Sequence, residues 1–522
     1  MKRKCFGAAA AIVLSLILLA GCANGGAPAA PAPAADVAQD VPSEDRELRK
    51  TMMLGVDVTT LDPFIASGGT SFLLVNSLFC TPWVLDLDFN VHFRMATGFE
   101  ISDCGLIYTI TLREGVTFHD GTRFTAEDFA YSAQMAQTSP VFSVWANFFD
   151  VIEVIDEYTV EITLTQPYSA MVHMLQNLLI VPKAAHIAAD GDFGYEPVGS
   201  GPYMLARHDV GSRVLLRAFD DYHAGVPAIR YVSYTLIPER STVAIALETG
   251  EIDFSADFPR TDIDRLEALD HLQLLSKPSL VFTYVLFNNN VEPWDNPLVR
   301  AAVAHAIDRQ AIIQVAVEGH GVEGHLIVNE MVFGYSEIEG WPFNPERAAE
   351  LLAEAGFPGG EGFPPTTLYT FAFSPLDRII QIIQLNLRDI GLDFPIEVTD
   401  VGLFFDLLNQ HVVGIGISNM GLGTDASEYA AMLVTSGGLN ASFFSNPEMD
   451  MLFDRAVEVS DPQERLEVYR QIWALYQEEV PYAVLYFDMA TIMASADLDL
   501  SKAYIFGLYG STNILPFYLS WR

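Results

Sequence analysis

Few stretches of this chain have the residue spacing that catalysis or metal binding demands. His320, Glu323 and His325 lie in GHGVEGH, whereas a zinc-protease helix places its two histidines four residues apart around a glutamate. The intervening glycines predict a solvated loop. Gly199, Ser200 and Gly201 fall in VGSGPY, but a nucleophile elbow needs Gly-x-Ser-x-Gly, so a tight turn leading into a strand at Met204–Ala206 is expected. None of the six lysines follows a phosphate-binding glycine loop, so any ATP is hydrolysed by a partner. The 67 acidic residues would supply a hydrolase with carboxylates, yet no spacing selects a catalytic pair. No cofactor is expected.

Cysteine usage points to export. Cys22 closes the sequence Leu19, Ala20, Gly21, Cys22 after a basic start (Lys2, Arg3, Lys4) and an apolar run from Phe6 to Ala20. That order is a secretory signal peptide over residues 1–21, too short for a membrane span of about 20 residues. Its ending resembles the bacterial lipobox, which implies lipidation at Cys22 and attachment to a membrane surface. Residues 22–47 are dominated by Gly, Ala and Pro and read as a tether. Cys80 and Cys104 remain; a disulfide between them and two buried free thiols are both open.

Composition then bounds the body. Roughly 500 residues exceed one ordinary core by the usual domain-size range, so two or three lobes are expected. Half the residues are hydrophobic and 11% aromatic, which indicates a packed globular body. A formal net charge of −39 makes nucleic acid an improbable partner. It suits either attraction of cationic solutes or a surface adapted to its medium.

The elements that must position any site are legible by period. Tyr108, Ile110 and Leu112 alternate with polar neighbours, as in a half-buried strand, and Val116 and Phe118 resume it after Gly115. His119, Asp120 and Gly121 form a turn, and Thr125 with Asp128 caps a helix from Ala126 to about Gln137. Further strands are expected at Thr51–Val58, Val151–Ile155, Tyr158–Leu164 and Tyr482–Phe487, with helices over Ser71–Cys80 and from about Arg240. Asn296, Asn344, Ser374, Asn446 and Asp461 each precede a proline, predicting five capped helices. Gly356 and Gly391 are expected to close the second and third of these.

The segment LIYTITLREGVTFHDGTRFTAEDFAYS (106–132) closely resembles the signature of the family 5 extracellular solute-binding proteins, the peptide and nickel binders of bacterial ABC importers. Thr60-Leu61-Asp62-Pro63, VGSGPY, VRAAVAHAIDRQAI and FNPERAAELLAEAGF extend the resemblance over nearly all of residues 51–490. It implies an α/β fold of the periplasmic-binding-protein type II class, with three lobes around a hinged ligand cleft. The discontinuous first lobe would comprise 48–82, 198–287 and 481–522, the second 83–197 and the third 288–480. The implied function is non-enzymatic: a monomeric, exported, lipid-anchored protein delivers a small peptide to ABC permease subunits. Nickel chelates, glutathione, opines and oligosaccharides are further solutes bound within the family.

The resemblance also nominates residues. Asp425, in Gly421-Leu422-Gly423-Thr424-Asp425, corresponds to the aspartate that pairs with a peptide's α-ammonium. The family's tryptophan position holds Leu422, and Ser427, Glu428 and Tyr429 replace the usual Asp-Pro. Leu422, Tyr429, Asn288, Tyr284, Ser67, Thr70 and Trp145 are candidate wall residues, and His119 is expected to bond within its turn.

Overall fold

Alternation along 107–112 buries Tyr108, Ile110 and Leu112 and leaves the intervening side chains more open. Their strand is central in a four-stranded antiparallel sheet ordered Ala96–Ile101, Ile107–Leu112, Thr159–Leu164, Phe149–Asp156. The computed structural model describes residues 45–52, 55–66, 69–86, 89–503 and 516–522. The signal peptide, Cys22, most of the tether and Ser67 lie outside these residues.

Capping chemistry sets the helix that follows. The Thr125 backbone N–H donates to Asp128 Oδ2 at 3.0 Å, and the helix runs Ala126–Thr138. The other oxygen of Asp128 accepts the Lys183 N–H at 2.9 Å, so one cap also fastens a distant segment. Val116 and Phe118 do not continue the strand. Both are buried, but only an isolated bridge between Thr117 and Arg123 forms beside them.

A second sheet of 11 strands carries the remaining architecture. Its path runs Ile396–Thr399, Leu368–Phe371, Ile415–Gly421, Leu272–Phe287, Tyr482–Ser495, Phe254–Ser255, Leu48–Thr51, Tyr231–Thr235, Arg213–Ala218, Tyr203–Asp209. Gly321–Glu323 pairs with Tyr482–Ser495 off this path. The first strand therefore occupies Leu48–Thr51, earlier than the Thr51–Val58 expected, because it lies parallel beside Tyr231–Thr235.

Four of the five proline-preceded helices start as their caps dictate. Asn296, Asn344, Asn446 and Asp461 each accept a backbone N–H of the first turn. Ser374 does not: Pro375 itself occupies the cap position of the helix Leu376–Asp389, without a side-chain cap bond. Gly356 and Gly391 adopt φ of +100° and +91°, the left-handed geometry that ends a helix without a Cβ clash.

Two large cores result. One contains Leu280–Phe287, the helices from Pro297 to Glu479 and Tyr482–Phe487; the other joins Leu48–Tyr234 to Ile492, Ala494, Leu498 and Leu519. Leu272–Phe287 and Tyr482–Ser495 each leave one core and enter another. The change of core thus falls inside both strands.

Candidate functional site

The crossing strands pair antiparallel, Leu272–Pro278 with Met489–Ser495 and Phe282–Leu286 with Tyr482–Phe487. Between Pro278 and Phe282 the register shifts. Proline has no N–H to give to the ladder, so the irregularity falls where pairing is already interrupted. Two strands that bend at a shared irregularity can act as a hinge between the bodies they connect. Asn329 spans this point, its Nδ2 donating to the Ser279 carbonyl at 2.8 Å.

Beside the crossing lies a cavity of about 320 Å³, walled by Pro278 and Phe487 and by Asn329, Glu323, Glu330 and Glu337. Its size suits a small solute. His325, also on its wall, accepts the Trp341 N–H at Nδ1 (3.3 Å), and burial lowers its pKa to about 4. Among the described residues, no group of three or more His, Cys, Asp and Glu side chains is placed to hold a metal ion.

Asp425 is not on the wall of this cavity and is fully buried. It caps the short helix Ala426–Tyr429, where Oδ1 accepts the Ser427 N–H at 2.9 Å. The cation that an enclosed carboxylate requires comes from the protein: Arg465 donates to both carboxylate oxygens, at 2.8 and 2.6 Å. Burial alone would push the Asp425 carboxyl upward, but Arg465 and then His173 outweigh it and hold it at about 2. Its neighbour Glu428 is raised to about 8, first by burial and then by the Asp425 charge. Burial and the Arg465 charge therefore drive the two neighbouring acids in opposite directions.

This ion pair joins two parts of the chain. His173, from the helix Met171–Leu175, places Nδ1 3.4 Å from Asp425 Oδ2. Its ring lies 5.9 Å from Phe89 and 5.4 Å from Phe333, and those two rings meet edge-on at 5.6 Å. Ser169 donates its N–H to the Val457 carbonyl at 2.9 Å and its hydroxyl to the Ala456 carbonyl at 3.1 Å. Both contacts lie beside Arg465, whose Nε also reaches Ala456. Residues 89–173 and 333–465 thus meet across a polar seam around Asp425.

The expected wall residues are distributed differently. Tyr284 and Asn288 are buried in the first core; Asn288 Nδ2 donates to the Val413 carbonyl at 3.3 Å. Trp145 packs between Phe142 and Phe149, at ring distances of 5.9 and 5.8 Å. Tyr429 is fully buried and donates to the Gly423 carbonyl at 3.3 Å. Thr70 donates to the Val56 carbonyl at 2.7 Å, and half-buried Leu422 packs on the first core. All of these but Leu422 are buried.

Two further expectations change. His119 bonds far from its own turn: Nδ1 accepts the Gly199 N–H at 3.0 Å and Nε2 lies 3.0 Å from the Gly201 carbonyl, which assigns the proton to Nε2. Ser200 is buried, its hydroxyl donating to Ile180 and accepting from Cys80 N–H, both at 2.9 Å, so it is no nucleophile. Cys80 and Cys104 do not pair; Cys80 is buried and Cys104 exposed.

Sequence reasoning missed Arg465 and His173. Arg465 carried a signal: it precedes Val468, Tyr469, Ile472, Trp473 and Tyr476 on the buried stripe of Pro462–Glu479. A lone guanidinium on such a stripe calls for an acid. His173 carried none.

The profile of bacterial extracellular solute-binding proteins, family 5 Middle, matches residues 90–441. A glutathione-binding protein, GsiB of Salmonella typhi, is 31% identical over 450 residues, covering 83% of this chain and 87% of that protein. The structure of HbpA2 from Haemophilus parasuis has a TM-score of 0.81 at 22% identity, over 91% of this chain and all of that one. CtaP from Listeria monocytogenes gives the same TM-score and identity, over 91% of this chain and 99% of its own. The chain belongs to the family 5 bacterial extracellular solute-binding proteins, the solute-capturing components of ABC importers.

Proposed function

We propose that this protein captures a small peptide in the hinge-side cavity and delivers it to an ABC permease from the outer face of the membrane. The observation that carries the reading is the cavity itself, placed where both crossing strands are irregular. A solute bound there touches Pro278 and Phe487, so its contacts change with the hinge angle. Only such differential contact can drive closure. Three glutamates on the wall suit a ligand with a free amine, as a peptide has. The similarity to glutathione-binding GsiB makes a tripeptide of glutathione's size the first solute to test. Lipidation at Cys22 would keep the protein near its permease.

Thermal unfolding with reduced glutathione, pooled di- and tripeptides, and nickel–histidine tests this. Peptides should raise the midpoint, and Glu330→Gln with Glu337→Gln should weaken the response. A ligand at 100 times its dissociation constant adds about 2.7 kcal/mol. If no peptide shifts the midpoint while nickel–histidine does, the peptide assignment is wrong.

A further inference from the structure

Leu272–Phe287 and Tyr482–Ser495 carry the chain between its two large cores. Apart from those strands, segments of the two cores meet again around Asp425. One side supplies Phe89, Ser169 and His173. The other supplies Phe333, Asp425 and the carbonyls of Ala456 and Val457, which accept the hydroxyl and the N–H of Ser169.

His173 is the member of this seam whose charge can change near neutral pH. It is 8% exposed, and neither ring nitrogen has a hydrogen-bond partner among the described residues. Nδ1 lies 3.4 Å from Asp425 Oδ2, but that carboxylate is already committed. Its oxygens accept from Arg465 Nη1 and Nη2, the Ser427 N–H and the Tyr469 hydroxyl. A proton on the imidazole therefore places a second cation beside Arg465, between the rings of Phe89 and Phe333, and such a buried charge is unfavourable. Burial lowers the pKa of the ring; Asp425 opposes this and Arg465 adds to it. The other titratable groups around the carboxylate are Glu428, Tyr168 and Tyr469. Glu428, raised to about 8, and Asp425, held at about 2, titrate outside the interval from about pH 5 to 7, and burial raises both phenols.

We propose that the seam is a latch that holds the two bodies together and that a proton on His173 releases it. Separation returns the ring to water, where an imidazole titrates near 6.5. The open arrangement therefore takes up the proton first, so the contribution of His173 to closure is complete above about pH 6.5 and is lost as pH falls. The ratio of open to closed molecules should rise by up to about 25-fold between pH 7 and 5. No residue of the latch lines the hinge-side cavity, so the proposal stands apart from the solute reading.

Small-angle X-ray scattering of the chain starting after Cys22, without peptide and from about pH 7 to 5, tests this, with far-ultraviolet circular dichroism on the same samples. Wild type should expand with an unchanged dichroism signal, and His173→Phe should show no expansion. Ser169→Ala, which loses one hydrogen bond across the seam, should move the expansion to higher pH. Should His173→Phe fail to fold, His173→Asn carries the same test. A constant radius of gyration in wild type, an expansion accompanied by loss of dichroism, or an equal expansion in the His173 variants overturns the proposal.

Discussion

Replacing Arg465 by methionine strands the Asp425 carboxylate in a fully buried site. With the pair intact, that carboxyl titrates at about 2; in an unfolded chain it would titrate near 3.9, a difference worth ~2–3 kcal/mol at neutral pH. Loss of one partner of a buried pair typically costs about 3–5 kcal/mol, since the desolvated charge remains. Arg465→Met should therefore lower stability by roughly that amount in urea unfolding followed by tryptophan fluorescence at pH 7. The double variant Arg465→Met/Asp425→Leu removes the stranded charge and should recover much of the loss. The pH dependence has a definite sign. In wild type the carboxyl is depressed, so its stabilisation is complete above about pH 4 and is lost as pH falls through about 2. In Arg465→Met the lone buried carboxyl is raised, so acidification neutralises it and the gap to wild type should narrow between pH 7 and 4. A single-variant loss below about 1 kcal/mol, or a double variant worse than the single, would refute the reasoning.

Other perturbations test the remaining structure. A Cβ on Gly201 would stand 2.6 Å from the Leu78 carbonyl carbon and the Ser77 carbonyl oxygen, so Gly201→Ala should cost about 1–3 kcal/mol in denaturant unfolding. His119 is held at about 4 by burial against about 6.5 when unfolded. The unfolded chain therefore takes up a proton first, stability falls as pH drops from 6.5 to 4, and His119→Asn should flatten that part of the profile. His223 and His325, also near 4, contribute to the same window. Asn446→Ala should lower stability in urea unfolding by about 1 kcal/mol, while Ser374→Ala should leave it unchanged, because Ser374 caps no helix. In a chain starting after Cys22, a maleimide under native conditions should label Cys104 and spare Cys80, with the signal lost in Cys104→Ser.

What the amino-acid order determined by itself is local. Asn296, Asn344, Asn446 and Asp461 bond N–H groups two or three residues away, so caps and helix starts can be read from neighbouring letters. The period of Tyr108, Ile110 and Leu112 likewise assigns a buried face without further information. Family membership was legible for the same reason, through contiguous motifs such as 106–132.

Tertiary structure decided everything that depends on which segments return to meet. Asp425 needs a cation on energetic grounds, but only the docking of Pro462–Glu479 brings Arg465, 40 residues away, against it. His119 could have bonded its own turn. It instead holds Gly199 and Gly201, 80 and 82 residues on, because their backbone passes against its ring. The hinge-side cavity is a further case, since Pro278, Phe487 and the glutamates of 323–337 are brought together only by the crossing strands. Caps and periods arise from bonded neighbours, whereas counterions, cavities and hinges arise from the path of the whole chain.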